Sequence, residues 1–346
     1  MKHRYFLYFL MSLPLLQACK SGPPAASVTT AQAVEKMKVI QLSASTTRSV
    51  FFDELPSASG LEYVQGAFYV LGDDSPYLYQ LNEKYELVQQ YPLFNSTKMV
   101  NGRIPKAEKP DLESMAHLTY GRDDMLLLLG SGAAKARNKG YLVNLTDNLK
   151  VRELDLSRFY TFLKQVLRLE SEGQLNLEGF AMDAVYTYLL QRPLGAGTNT
   201  LLRMETDEFK DFILREGEIP AVAVYHFELP HVGQIRSGFS GAFAMEGRLF
   251  FTASVEETPN AIEDGEILGS FIGLINLRTL PFASDAANPL QVPVVKLTNE
   301  DGSAYLGKAE SLVVLKGEEA DQYKVVVVSD DDKGHSELLE VQLEMR

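Results

Sequence analysis

The sequence predicts an all-β protein, a five-bladed β-propeller with four-stranded blades. Three observations carry that prediction. Five segments repeat one pattern, SGLEYV (59–64), DLESMAHL (111–118), NLEGFAMD (176–183), SGFSGAFAM (237–245) and KAESLVVL (308–315), each followed by two more short apolar runs. These runs are rich in Val, Leu, Phe and Tyr and are separated by Gly, Asp or Asn, the composition of strands and tight turns. The fifth unit ends at Arg346 after three strands, while a spare strand, MKVIQLSA (37–44), precedes the first unit. The N-terminal strand therefore completes the last blade and closes the ring, which leaves few sheet edges exposed.

The first four units each continue into a fourth strand, YELVQQYPL, LKVRELDL, AVAVYHFEL and PLQVPVVKL. Successive motif residues Glu62, Glu113, Glu178, Ser240 and Glu310 are 51, 65, 62 and 70 residues apart, long for four strands, so insertions are expected. One is SRFYTFLKQVLRLESEG (157–173), which reads as an amphipathic helix with an N-cap serine, packed on the rim. An acidic insertion covers 255–269 and a basic one 133–139. A six-bladed ring is the alternative, with its extra unit around 203–229. Turns rather than helices of ten or more residues separate the strands, which disfavours an α/β fold.

Residues 1–18 have the layout of a secretory signal: Lys2, His3 and Arg4, an apolar stretch from Tyr5 to Leu16, then Gln17 and Ala18. Leu16-Gln17-Ala18-Cys19 has the pattern of a bacterial lipobox, and Cys19 is the single cysteine of the chain. Cleavage before Cys19 and acylation of its thiol would anchor the protein to a membrane. Lys20, in place of an Asp, fits export to the outer membrane, with the protein facing the periplasm. Residues 19–34, small, polar and proline-containing, read as a flexible tether, and 35–346 as one propeller domain.

Composition narrows the function. With 45% hydrophobic and 23% charged residues the 346-residue chain is an ordinary folded protein. A lone cysteine excludes an intrachain disulfide and a CxxC-type zinc site. The net charge of −13 becomes −15 without residues 1–18, which carry Lys2 and Arg4 and no acid, and such a charge argues against nucleic acid as partner. A monomer is expected.

The in-phase residues Glu62, Glu113, Glu178, Ser240 and Glu310 open the first strand of each unit, so four carboxylates are expected to converge on one mouth of the channel. Turns after the second strands add Asp73, Asp74, Arg137, Arg192, Asp330 and Asp331 (and Asp332) to that face. Each carboxylate pair at roughly 6 Å costs on the order of 2–3 kcal/mol at an effective dielectric of about 20. Protonation, pairing with Arg137 or Arg192, or a bound cation must relieve it. An oxygen-only donor set suits Ca²⁺, held by Glu62, Glu113, Glu178 and Glu310. The same glutamates read equally as latches that accept backbone N–H groups from the neighbouring blade. Neither a GxSxG elbow, a P-loop nor an HExxH motif occurs, and His231 and His335 are isolated loop candidates for acid–base work.

The units SGLEY, DLESM, NLEGF and AESL, with GDDSPYLYQL after the first, resemble the bacterial phytase-like (esterase-like) propeller proteins and, more closely, propeller lipoproteins of Bacteroidota. That resemblance, over residues 35–346, implies calcium-dependent hydrolysis of phosphate or carboxyl esters, with Glu178 and Glu113 as candidate catalytic groups. Only scattered cations, Lys135, Arg137 and Arg192, are present to receive a phosphate. Two functions stay open: a lipid-anchored propeller that binds a small ligand or an envelope protein at an acidic funnel, and a metal-dependent hydrolase.

Overall fold

The computed structural model describes residues 40–346 except 97, 170–173, 196, 258–264, 283 and 332. The expected signal segment 1–18, Cys19, the tether 19–34, Asp332, the end of the helical insertion and the middle of the acidic insertion lie outside the described residues.

Twenty strands form the expected ring of five four-stranded sheets, and three further short strands lie between them. Strand β1 (Leu42–Phe52) is followed by blade one, β2 (Ala58–Val64), β3 (Ala67–Gly72), β4 (Tyr77–Leu81) and β5 (Leu87–Pro92). Blade two comprises β6 (Leu112–Tyr120), β7 (Asp123–Gly130), β8 (Lys139–Asn144) and β9 (Lys150–Asp155). Helix α1 (Ser157–Val166) leads to blade three: β10 (Leu177–Met182), β11 (Tyr186–Gln191), β12 (Asn199–Glu205), helix α2 (Thr206–Arg215) and β13 (Ala223–Glu228). A small hairpin, β14 (His231–Val232) and β15 (Ile235–Arg236), precedes blade four. That blade holds β16 (Gly238–Met245), β17 (Arg248–Glu257) and β18 (Glu266–Asn276); β19 (Leu290–Gln291) instead runs parallel to β13, and β20 (Val294–Lys296) forms the outer edge. Blade five is β21 (Lys308–Lys316), β22 (Gln322–Asp330) and β23 (Ser336–Met345), completed by β1. The closing strand pairs with β23 from Leu42↔Met345 to Phe52↔Ser336, running on past the expected end at 44, while 37–39 of the expected strand lie outside the described residues.

Five blades follow from the packing. Each blade buries both faces against its neighbours, so second strands are continuous apolar runs such as Leu126–Leu129 and Val325–Val328, all buried. The outermost strand β5 is mostly exposed. Five apolar clusters result, one at each blade interface. The segment 203–229, considered as a sixth blade, is the remainder of blade three with α2 inserted. Asp207 and Glu208 in its first turn suit the helix dipole, while Phe209 and Ile213 one turn apart bury its apolar face.

Helix α1 is capped differently from the expectation. Ser157 is its first helical residue, and Asp155 Oδ1 accepts the Ser157 N–H at 2.9 Å. Phe159, Tyr160 and Leu163 are buried in the cluster between blades two and three, and the Tyr160 hydroxyl donates to the Gly130 carbonyl at 2.7 Å. The helix thus fills a gap between two blades.

First strands line the axis in the order β2, β6, β10, β16, β21 and back to β2. Side chains on third strands staple the ring: Ala58 N–H donates to Ser336 Oγ (2.9 Å), Phe239 N–H to Asn199 Oδ1 (2.9 Å) and Ala309 N–H to Ser270 Oγ (3.1 Å). Every first strand also carries a β-bulge at its second or third residue: Ser59, Glu113, Glu178, Ser240 and Glu310. A bulge leaves one residue unpaired and re-aims its side chain. The next residue is always Gly or Ser. At Gly241 a Cβ would lie 2.6 Å from the Glu310 carbonyl oxygen and 2.6 Å from Ser311 Cα, so only glycine fits.

Candidate functional site

The bulges correct the phase of the repeat. Blade one places Ser59, not Glu62, at the position shared by Glu113, Glu178, Ser240 and Glu310. The two serines are latches: Ser59 Oγ donates to the Leu112 carbonyl (2.5 Å) and Ser240 Oγ to the Ala309 carbonyl (2.6 Å), each in the following blade. Three glutamates, not four, therefore face the axis at this level. Glu62 lies three residues along β2, about 10 Å deeper at strand rise. There it borders a cavity of about 190 Å³ with His117, Phe180, Met182 and Phe243. Its carboxylate accepts His117 N–H at 2.9 Å and Tyr63 N–H at 3.1 Å, so Glu62 is a latch between blades one and two. Burial pushes its carboxyl up to about 7 against those two hydrogen bonds.

Above the three glutamates, on the face where second strands end and blades connect, opens a funnel of about 2000 Å³. Asp73, Asp74, Arg137, Arg192 and Asp330 line it together with Glu113 and Glu178. Asp331 does not; it accepts a hydrogen bond within its own turn from His335 Nδ1 at 2.8 Å. His231 pairs with the Glu228 carboxylate at 2.7 Å on the exposed hairpin.

The funnel is not acidic. Its lining holds ten carboxylates and eight lysines and arginines, whereas the whole chain carries a net −13. The decisive cations escaped the sequence reading. Lys109, only 8% exposed, bonds Asp73 Oδ2 and lies 3.0 Å from Asp111 Oδ1. Asp111 also accepts Arg137 Nη1 and Ser131 Oγ, both at 2.5 Å. Arg103 reaches Asp74 (2.5 Å) and Ser57 (3.0 Å), Arg192 reaches Glu256 (3.1 Å), and Lys308 reaches Glu310 (2.8 Å). Each cation thus neutralises carboxylates that would otherwise repel.

A local signal for part of this ring exists. Ser57, Asp111, Asn176 and Lys308 each stand two residues before a bulge, and three of them hold ring partners while Asn176 donates to Glu178 Oε1 at 2.5 Å. Ser57 and Asp111 share a left-handed backbone, φ +48° and +54°, so the position repeats in conformation as well as polarity. Lys109 and Arg103 carry no such mark.

The carboxyls differ in proton affinity. Burial pushes Asp111 up, but Lys109 and Arg137 outweigh it and hold it below its usual range. Burial raises Glu178 against Arg192 and Lys308, and raises Glu310 to about 7 against Lys308. Glu113 is raised well above the ordinary value by burial and then by Asp111, Glu178 and Asp73. Its carboxyl has no hydrogen-bond or salt-bridge partner among the described residues, although it borders the funnel.

Calcium was expected at Glu62, Glu113, Glu178 and Glu310, but Glu62 lies apart from the other three. Oxygens of Asp73, Asp111 and Glu113 do come within 4.8 Å of one another. The Lys109 ammonium already bonds two of these three carboxylates, so the residues as arranged do not fit a calcium ion.

Comparison with known proteins bears on the family. A family model described as a family of unknown function (DUF6929) matches residues 54–343. No curated protein matches the chain. Among solved structures, glutaminyl cyclase of Myxococcus xanthus is similar at 14% identity, over 89% of this chain and 100% of that one, with a TM-score of 0.45. The arabinanase Arb43A of Bacillus subtilis is similar at 9% identity, over 86% and 96%, with a TM-score of 0.43. Such likenesses say nothing about chemistry.

Proposed function

The chain belongs to the family of unknown function DUF6929, and we propose that it is a cell-envelope lipoprotein whose propeller binds an uncharged or zwitterionic polar small molecule in its funnel. One observation carries the reading: the funnel lining balances ten carboxylates with eight cations and pairs most of those at its floor internally. A phosphate ester needs a surplus of cations, which the lining lacks, and in the Asp73, Asp111 and Glu113 cluster the Lys109 ammonium holds two of the three carboxylates that a metal ion would need. A ligand rich in hydroxyl or amide groups, or one bearing both charges, meets donors and acceptors of both signs. Tyr77 and Tyr79 on the funnel wall add aromatic surface.

The hydrolase implied by the phytase-like resemblance would hold calcium through Glu62, Glu113, Glu178 and Glu310, and Glu62 lies apart from the other three, which is why binding is the reading proposed. Attachment to the membrane, and with it the outer-membrane location, rests on the lipobox residues Leu16 to Cys19.

Thermal unfolding of the purified full chain with neutral saccharides, zwitterionic amino acids, phosphate monoesters and calcium tests the funnel. A ligand at 100 times its Kd stabilises by about 2.7 kcal/mol. Stabilisation by a neutral or zwitterionic compound, lost on mutating Arg192 to Ala, is the expected result. Stabilisation by phosphate monoesters with calcium alone would overturn the reading. For the anchor, Cys19→Ala is expected to move the protein from the membrane fraction to the soluble one.

A further inference from the structure

Among the carboxyls of the funnel floor, one is uncommitted. Asp73 and Asp111 are held by Lys109, Asp111 also by Arg137 and Ser131, Glu178 by Asn176, Glu256 by Arg192, and Glu310 by Lys308. Glu113 borders the same cavity and accepts no hydrogen bond from any described residue. Its position on a bulge turns the side chain out of the β6–β7 ladder, toward the axis.

The surroundings decide its state. Charged groups face it from three directions: Asp111 and Lys109 from the segment before β6, Asp73 from the end of β3, and Glu178 from β10. Three of the four are carboxylates, and Lys109 is engaged with two of them. A fourth negative charge there would be desolvated and repelled at once, so the surroundings favour the protonated form of Glu113 well above the ordinary carboxyl range.

We propose that Glu113 is the proton-bearing group of the funnel, a carboxylic acid that donates its O–H to an uncharged oxygen of the bound molecule. The inference rests on the funnel being a binding site and narrows the ligand class to a neutral, oxygen-rich compound such as a polyol, an amide or an ester. An anionic carboxylate at the same place would select an amine or a cation instead. The hydroxyl, amide and ester classes share the oxygen acceptor that an acid donor reads.

A carbodiimide probes the proton directly, and without the natural ligand. The acid proton passes to a carbodiimide nitrogen while the Glu113 oxygen adds to the central carbon, giving an O-acylisourea that rearranges by acyl migration to a stable N-acylurea, so the whole reagent joins the chain and nothing leaves. The full-length protein is treated with dicyclohexylcarbodiimide at pH 7.5, digested, and the labelled peptide identified by mass. Labelling at Glu113, absent in Glu113→Gln, is expected. Its pH profile should move to lower pH in Glu178→Gln, because one of the repelling carboxylates is gone; a merely structural glutamate would show no such movement. Infrared difference spectra between wild type and Glu113→Gln give a second readout, the carbonyl stretch of a protonated carboxyl at pH 7.5. Partial label at Glu62 or Glu310, whose carboxyls are also raised, leaves the proposal standing; the absence of both the label and the infrared band at Glu113 overturns it. Neither readout depends on ligand binding, so a funnel that binds nothing would fail separately.

Discussion

The Lys109 ammonium lies 3.0 Å from the Asp111 carboxylate, and the two residues flank a proline at the threshold of β6. This pair, extended to Asp73 in the preceding blade, ties blade one to blade two at the funnel floor.

Removing the lysine should therefore cost far more than removing one at the surface. Lys109→Met leaves the partly buried Asp73 without a cation and the buried Asp111 with Arg137 alone, a change worth up to about 3–5 kcal/mol. Lys98→Met, which breaks the exposed pair with Glu108 at 2.6 Å, should cost about 1 kcal/mol or less. Urea denaturation of both variants checks the contrast; equal losses would show that the Lys109 pairs are not structural.

Calcium and chelator should leave the wild-type protein unchanged. The site that would hold the ion is occupied by Lys109, so neither added Ca²⁺ nor EDTA is expected to move the Tm. A reproducible upward shift with Ca²⁺ would restore the metal-dependent reading.

The ring staple at the last blade offers a clean deletion. Ser336→Ala strips the Ala58 N–H of its buried acceptor, and an orphaned buried donor costs about 1–3 kcal/mol. Thr47→Ala, which removes an exposed hydroxyl bonded to the Glu340 carbonyl at 3.2 Å, should change stability by about 0.5 kcal/mol or less. Chemical denaturation of the two variants separates them.

Stability should fall as pH rises from 4.5 to 7. Burial lifts Glu62 from 4.5 to about 7, so in this window the folded chain holds a proton that the unfolded chain has released. Folding then takes up a proton, and the associated stability, complete below pH 4.5, is lost through pH 7. The loss is on the order of 3 kcal/mol from Glu62. Glu310, also lifted to about 7, works in the same direction. Glu62→Gln should flatten the profile between pH 5 and pH 8, measured by denaturation at each pH. An unchanged slope would refute the assignment.

Blade number and ring closure were legible in the sequence because they depend on composition. Runs such as VVVV at 325–328 and LLLL at 126–129 cannot be solvated, and turn residues divide them at regular intervals. Register was less legible. Matching the Leu-Glu of SGLEYV to the Leu-Glu of DLESM aligned Glu62 with Glu113, three residues out of phase. Backbone geometry sets the true phase, since the residue after each bulge must be small, and Gly60, Ser114, Gly179, Gly241 and Ser311 obey that rule. The ion-pair ring was legible only in part. Lys109 and Arg103 stand in the connection between blades one and two, where no periodicity applies, and their partners are fixed only once the ring has closed.

The seam between β1 and β23 has a consequence for biosynthesis. Among the described strands β1 leaves the ribosome first, yet its hydrogen-bonding partner β23 is the last of them to emerge. Blades one to four can assemble as they are made, each on the one before, while β1 waits with one edge unsatisfied. Contacts of such sequence separation form slowly, and a waiting strand is open to pairing with another chain. Loss of even a few C-terminal residues would strand both ends of the chain together, converting a small truncation into an unlocked ring.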